Sequence, residues 1–277
     1  MTEKKKNVCL PKRLIASRKL IGNLAKNDFK KKFAGSYFGV IWAFIQPVIT
    51  VLLYWFVFEK GLNSKATDLR TGIEIPFVLW LTAGLVPWFY FQEALNGGTG
   101  VLVEYSYLVK KVVFQIDMLP VVKMISALFT HLFFVAFTIV LFICMGYMPD
   151  WYALQVVYYS FCMILFATGL VYATSAVTVF FRDMKEVVGI LLQIGMWVTP
   201  IMWNFETMVQ IPGWAIAVLK LNPMYYIVSG YRNALINHIG FWEDMGLTVY
   251  FWVVTAVLLF LGTTVFKKLR PHFADVL

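Results

Sequence analysis

The sequence predicts an all-α membrane protein with six transmembrane helices, an N-terminal amphipathic interface helix and a re-entrant helical hairpin before the last span. Of the 277 residues, 60% are hydrophobic and 14% are charged, against about 25% charged in an average soluble domain. The apolar residues are gathered into long stretches, and basic residues concentrate in alternate connections. This is the pattern of a membrane protein, because helices in a bilayer need apolar residues on their lipid-facing sides as well as between them.

Residues 10–33 show a helical period without a long apolar run. At 100° per residue, apolar side chains fall on one side and lysines fall on the other. The apolar side holds Leu10, Leu14, Ile21, Leu24, Ala25 and Phe29, and the opposite side holds Lys12, Lys19, Lys26, Lys30 and Lys32. The pattern predicts a helix lying in the membrane interface; an ordinary surface helix is the alternative.

Six apolar stretches follow, each predicted to cross the membrane. They cover residues 36–58, 76–95, 118–148, 152–181, 187–203 and 246–266. With the N-terminus inside, the inner segments hold 19 Lys and Arg and the outer segments hold five. The positive-inside rule therefore predicts that both termini are cytoplasmic, in agreement with an even number of spans.

Two connections have features of their own. The inner segment 97–113 carries Glu104, Tyr105 and Tyr107 among Val and Leu, which predicts a short amphipathic helix at the membrane surface. The outer segment 206–240 contains two apolar pieces that are each too short to cross. Between them, Asn222-Pro223 is typical of a cap and first turn of a helix. We expect a re-entrant hairpin here; two helices lying flat on the outer surface are the alternative.

The chain lacks the residue patterns of an enzyme. It has no phosphate-binding G-x-x-x-x-G-K-[ST] loop, and Gly97-Gly98-Thr99-Gly100 is expected to be a flexible turn. His131 is expected to be a packed neutral side chain, and the three cysteines are isolated, so no metal site is expected. The net charge of +9 lies mostly near the N-terminus and favours anionic lipid over nucleic acid.

Aromatic residues are concentrated in the first two spans. Their flat apolar faces can stack on sugar rings, and their polar edges can form hydrogen bonds. The candidates for a lined substrate path are Tyr37, Trp42, Tyr54, Trp80 and Trp88. The alternative is that they are interface-belt or packing residues.

Five segments, in order, resemble the permease subunits of polysaccharide-exporting ABC transporters of the ABC-2 (type V) class. They are residues 29–47 (FKKKFAGSYFGVIWAFIQP), 54–58 (YWFVF), Arg182-Asp183, 221–226 (LNPMYY) with Tyr231-Arg232, and 272–277 (HFADVL). The resemblance runs over almost the whole chain.

The resemblance implies a transport subunit of the bacterial cytoplasmic membrane that has no cofactor of its own. It implies a homodimer around a channel, paired with two copies of a separate ATPase chain that binds ATP and Mg. Residues 10–33 and 97–113 would meet the ATPase, the latter through Tyr105, Tyr107, Lys110 and Lys111. Residues 206–240 would form an outer gate that includes Asn222, Pro223, Tyr225, Tyr226, Tyr231 and Arg232.

The implied substrate is a polymer on an undecaprenyl-pyrophosphate-type lipid. Lys30, Lys31, Lys32 and Arg182 would meet its diphosphate at the entrance; Arg182 pairing with Asp183 or Glu186 is an equal alternative. We expect Arg232 to face a water-filled vestibule or an acidic partner such as Glu206 or Glu243.

Other functions stay open at the level of sequence. An ABC-2 exporter of a drug or another lipid would have similar spans, and a membrane enzyme or channel of cell-envelope assembly is a more distant alternative. Teichoic acid and O-antigen permeases are not distinguished, although the YWFVF segment slightly favours teichoic acid.

Overall fold

The computed structural model of the protein describes residues 10–110, 115–203 and 212–277. The described chain is mostly helical. Its helices are α1 (Leu10–Ala16), α2 (Arg18–Lys31), α3 (Trp42–Trp55), α4 (Phe77–Thr99), α5 (Val101–Glu104), α6 (Ser106–Val109), α7 (Met118–Cys144), α8 (Gln155–Phe180), α9 (Met184–Val198), α10 (Gly213–Lys220), α11 (Pro223–Arg232), α12 (Met245–Leu269) and α13 (Phe273–Val276).

Helices α1 and α2 occupy the segment 10–33 that is predicted to be helical. The apolar side of α2 packs on the first turns of α7, where Ile21 and Ala25 contact Met118 and Val122. The Lys-rich side stays exposed. The amphipathic pattern therefore marks a helix seated against the bundle.

Four helical segments of the described chain are long and apolar enough to cross a membrane: Gly39–Gly61, Met118–Cys144, Trp151–Phe180 and Met245–Val276. They correspond to the predicted first, third, fourth and sixth spans. The predicted third span ends four residues early, because Gly146 takes the left-handed backbone (φ 87°) that stops the helix.

The other two predicted spans differ from this group. Helix α4 has 23 residues, of which 18 are buried, so it lies at the centre of the bundle. Helix α9 has 15 residues, about 22 Å, and ends at Val198 instead of residue 203. The reason is local, because a proline at 200 disfavours helical backbone at Thr199, whose φ and ψ are extended.

A small β-hairpin departs from the all-α prediction. Strand β1 (Ala66–Thr67) pairs antiparallel with β2 (Glu74–Ile75) in the connection before α4. Between the strands, the Asp68 carboxylate accepts hydrogen bonds from the backbone N–H of Arg70 and the hydroxyl of Thr71. Gly72, with φ of 71°, completes the turn.

The Gly97–Gly100 segment is not a flexible turn. Helix α4 continues to Thr99, and a Cβ on Gly98 would lie 2.4 Å from the side chain of Val171. The glycine therefore permits close packing of α4 on α8. Of the predicted surface helix 97–113, residues 97–99 belong to α4, residues 101–104 and 106–109 form the short helices α5 and α6, and residues 111–113 lie outside the described residues.

Helices α8 and α12 approach each other through two glycines. A Cβ on Gly262 would lie 2.0 Å from the backbone oxygen of Gly169, and neither backbone can yield without moving its helix. Small residues let membrane helices pack this closely.

We expect Gly262→Ala to lower the stability of the folded protein by about 1–3 kcal/mol, the usual cost of overpacking. Gly189→Ala on α9 is the matched control, since no atom lies within 4 Å of its Cβ position. Thermal unfolding in detergent should separate the two variants; equal melting temperatures would contradict the close approach.

Candidate functional site

Arg13 of α1 and Arg270, which follows α12, meet at Asp117, just before α7. The carboxylate Oδ2 lies 3.0 Å from the guanidinium of Arg13 and 3.0 Å from that of Arg270. The side chain of Asp117 is only 5% exposed, so both ion pairs are shielded from solvent. We call this end of the bundle, with α1, α2 and Arg270, the basic end.

A cavity of about 790 Å³ lies between α2, α3, α4, α7 and α9. It extends from the basic end into the helix bundle, as far as Tyr54 and Thr130. Its charged residues are Asp28, Lys31, Lys32, Glu93, Glu104, Lys123 and Lys185, and its uncharged polar residues include Gln46, Thr50, Gln92, Asn96, Ser126 and Thr130. The cavity therefore has a charged part toward the basic end, which we call the mouth, and an uncharged polar part toward Tyr54 and Thr130.

Lys123 organises the charged mouth. Its ammonium lies 2.7 Å from the Asp28 carboxylate and 2.9 Å from that of Glu104, so it joins α7 to α2 and α5. Burial acts to raise the pKa of Asp28, but hydrogen bonds from Lys123 and Tyr105 outweigh it and leave that pKa below its ordinary value. Asp28 is therefore charged at neutral pH although it is buried.

Two of the four predicted entrance cations line this cavity. Lys31 and Lys32 do, and Lys32 forms a 2.8 Å ion pair with Glu93. Lys30 and Arg182 are exposed and do not line it. Within the described residues Arg182 forms no ion pair with Asp183 or Glu186 either. Lys185, one turn later, lines the cavity instead.

The predicted aromatic path is divided among different environments. Trp42 and Tyr54 line the cavity. Tyr37 lies on the surface, 98% exposed. Trp88 is 2% exposed and packs against Phe91 and the backbone of Gly195. The side chain fills the contact between α4 and α9 and does not line the cavity, so its place in a substrate path stays a prediction.

The residues predicted to couple the protein to an ATPase also lie in different environments. Tyr105 is 6% exposed, and its hydroxyl donates a 2.6 Å hydrogen bond to Asp28, so it anchors this turn to α2. Burial, together with the adjacent carboxylate, raises the pKa of Tyr105. Tyr107 is 55% exposed, and Lys110 is exposed beside it. Lys111 lies outside the described residues.

At the opposite end, Asn222 and Pro223 begin α11 as predicted. The Asn222 side chain accepts a hydrogen bond from the Met224 N–H, and Pro223 occupies the first turn. Asn222 also donates a 2.7 Å bond to the Thr199 hydroxyl. Helix α11 is buried along almost its whole length, whereas α10 is largely exposed. A flat surface position therefore does not describe α11.

Arg232 lies at the end of α11 and is 6% exposed. Its guanidinium stacks 3.3 Å from the ring centre of Trp80 and donates 2.7 Å hydrogen bonds to the carbonyls of Pro200 and Ile201. Arg232 and Glu243 line a second cavity of about 290 Å³. The other predicted partner, residue 206, lies outside the described residues.

The three tyrosines of α11 do not share one environment. Tyr225 lines the second cavity. The Tyr226 hydroxyl bonds to Tyr158 and Thr248, and the Tyr231 hydroxyl bonds to Ser160 and His131. These hydroxyls join α11 to α7, α8 and α12 in this arrangement, and the expectation that Tyr226 and Tyr231 border an exit stays a prediction.

Comparison with known proteins identifies the family of the chain. The model of the family described as ABC-2 type transporter matches residues 19–236. The chain belongs to this family. The matched part of this ABC-2 protein includes every residue that lines the large cavity.

Curated relatives cover nearly the whole ABC-2 chain. An O-antigen export system permease protein RfbA from Myxococcus xanthus is 25% identical over 96% of this chain and 98% of the relative. An RfbA from Klebsiella pneumoniae is 21% identical over 92% and 93%. The polysialic acid transport protein KpsM from Escherichia coli is 22% identical over 87% and 89%.

Proposed function

We propose that this protein is the membrane subunit of an ATP-driven exporter that moves a lipid-linked surface polysaccharide across the bacterial cytoplasmic membrane. The observation that carries the proposal is the large cavity of an ABC-2 chain, with its charged mouth and its uncharged polar part. The relatives named for O-antigen and polysialic acid export support polysaccharide as the substrate class. We propose an O-antigen-type polymer as the substrate, with teichoic acid as the alternative.

The charges suit the polymer's lipid carrier. Lys31, Lys32, Lys123 and Lys185 place four cations at the mouth, and a diphosphate is recognised by charge-assisted hydrogen bonds of this kind. The nearby carboxylates of Asp28 and Glu93 already engage Lys123 and Lys32. Diphosphate binding would therefore draw first on Lys31 and Lys185.

The proposed architecture is a homodimer with six spans per chain, both termini in the cytoplasm and α10 with α11 forming a re-entrant outer gate. Arg13 and Arg270 share one carboxylate, which supports termini on the same side. Helix α3 has two buried residues, so most of its surface is free for lipid or for a second copy.

ATP and Mg are proposed to bind to a separate ATPase, present in two copies. Tyr107 and Lys110 are the exposed side chains of the turn that Tyr105 anchors to α2. A push on this turn would reach α7 through Asp28 and Lys123. The proposed contact with the ATPase is therefore Tyr107 with Lys110.

The test is deletion of the gene, with analysis of the surface glycans and of proteins that co-purify with a tagged chain. We expect loss of one polysaccharide from the surface, its lipid-linked form inside the cell, and co-purification of an ATPase. Tyr107→Ala should reduce ATPase recovery severalfold, since aromatic anchors dominate interfaces. Unchanged surface glycans after deletion would refute the proposed function.

A further inference from the structure

Three helices each present a pair of uncharged polar side chains to the large cavity. The pairs are Gln46 and Thr50 on α3, Gln92 and Asn96 on α4, and Ser126 and Thr130 on α7. Each pair is spaced by four residues, which places both members on one helix face. We call these six side chains the polar track.

Thr130 shows that the track has unused hydrogen-bonding capacity. Helical threonines of this chain, such as Thr82, Thr99 and Thr138, donate to the carbonyl four residues earlier. The Thr130 hydroxyl is buried at the cavity wall and has no hydrogen-bond partner among the described residues. A buried polar atom without a partner is costly, so a hydrogen bond from a ligand to this hydroxyl would be favourable once a neighbouring side chain moves aside.

The three amides point to the same conclusion. Within residues 10–110, 115–203 and 212–277, the side chains of Gln46, Gln92 and Asn96 form no hydrogen bond with another protein group. Gln46 and Gln92 are exposed although both lie in predicted membrane spans. Polar groups in a membrane helix are tolerated where they face a polar cavity.

We propose that the polar track binds an uncharged, hydroxyl-rich sugar unit of the exported polymer. This inference rests on the proposed function and names the part of the substrate that the uncharged part of the large cavity binds. Each amide offers donors and an acceptor, and the Thr130 hydroxyl offers both. The Thr50 hydroxyl already donates to the Gln46 carbonyl. Ser126 already bonds to Asp28, so the Thr50 and Ser126 hydroxyls offer acceptors. Sugar hydroxyls also donate and accept, so the two sets are complementary without any charge.

The cavity wall also supplies apolar contact. Trp42, Tyr54 and Phe89 line it beside the track, and aromatic rings offer flat faces to the apolar side of a sugar ring. The two parts of the cavity would therefore bind different parts of the substrate. The lysines at the mouth would bind the anionic group, and the polar track would bind neutral sugar.

The test replaces the track's hydrogen-bonding groups with alkyl groups of similar size. We expect Gln92→Leu with Asn96→Leu to reduce the export of the surface glycan at least tenfold, and Thr130→Val to reduce it about threefold. Gln193→Leu is the matched control, because Gln193 is an exposed amide on α9 that lines neither cavity. It should export within twofold of the parent protein.

A binding measurement distinguishes recognition from folding. The purified protein in nanodiscs is probed by saturation-transfer NMR with the delipidated glycan that the deletion strain no longer displays. The parent protein and Gln193→Leu should transfer saturation to the sugar protons, and the double variant should not. Asn96→Gln, which keeps the amide, should retain most of the transfer.

The outcomes separate the two proposals. If deletion abolishes display of the glycan but both the double variant and Thr130→Val bind and export it at the parental level, the polar track is refuted and the exporter stands. If deletion changes no surface glycan, the proposed function fails and the polar track falls with it. Thr130→Val is nearly isosteric, which keeps the test decisive if the double variant does not accumulate.

Discussion

Replacing Lys123 with Met is expected to destabilise the fold by about 3–5 kcal/mol, the usual cost of removing one partner of a buried ion pair. The Lys123 side chain is 14% exposed and its ammonium contacts both Asp28 and Glu104. Asp28, which is 6% exposed, would then be a buried carboxylate without its cation. Export should be lost as well, because Lys123 joins α7 to both α2 and α5 at the mouth.

Double replacement is the informative comparison. Asp28→Asn together with Lys123→Met removes both buried charges, and such replacements recover most of the loss. Lys65→Met is the matched control, since the Lys65–Glu74 pair is exposed at 61% and 64% and such pairs contribute about 0–1 kcal/mol. The coupling energy between Asp28 and Lys123 follows from thermal unfolding of the parent protein, the single variants Asp28→Asn and Lys123→Met, and the double variant. Purely additive losses would contradict the buried pair.

The same cluster predicts a pH dependence. Although burial acts to raise it, the pKa of Asp28 is lower in the folded protein than its ordinary value of 3.8, because Lys123 and Tyr105 donate hydrogen bonds to its carboxylate. Its contribution to stability is therefore present above that pH and is lost as the pH falls through the folded pKa. Asp28→Asn should remove this part of the acid sensitivity.

Much of the fold could be predicted from local pattern. The period of residues 10–33 gave α1 and α2, and four of the predicted spans agree with apolar helices to within a few residues. The Asn222 cap was also predictable, because a cap depends only on neighbouring backbone. The hairpin β1–β2 was missed, since its strands are two residues long and have no alternating pattern.

Features that depend on distant residues could not be predicted in this way. From the sequence, Tyr105 is predicted to be an exposed contact for the ATPase. Its hydroxyl instead donates a hydrogen bond to Asp28 on α2, 77 residues earlier in the chain. Trp88 is equally misleading, because only the packing of α9 on α4 shows that its ring is covered.

The site was only partly visible in the sequence. Polar pairs spaced by four residues in apolar runs, such as Gln92 with Asn96, were a signal that could have been used. Their convergence on one cavity was not, since it requires the mutual rotation of α3, α4 and α7. Lys185 was likewise hidden beside Arg182, one turn away and facing elsewhere.

Replacing Arg232 with Met is expected to release α11 from α4 and to reduce export more than tenfold. The substitution removes the donors that bond the carbonyls of Pro200 and Ile201, and it uncovers the face of Trp80. A hydrogen bond to a charged group contributes about 1.5–3 kcal/mol, so two such bonds make a large effect. Arg232→Lys should recover little, because an ammonium cannot stack and bond as a planar guanidinium does.

Arg70→Met is the matched control at the same end of the molecule, because the Arg70 side chain is an exposed arginine that bonds the carbonyl of His238. The release of α11 can be measured as the reactivity of single introduced cysteines toward a membrane-impermeant thiol reagent. With Arg232 present, Ser229→Cys and Asn233→Cys, which line the second cavity, should react, and the fully buried Ile227→Cys and Val228→Cys should not. In the Arg232→Met background the two protected positions should become reactive, while the Arg70→Met background keeps the four-residue period. Uniform reactivity with Arg232 present would mean that α11 is loosely held, and its assignment to an outer gate would then be abandoned.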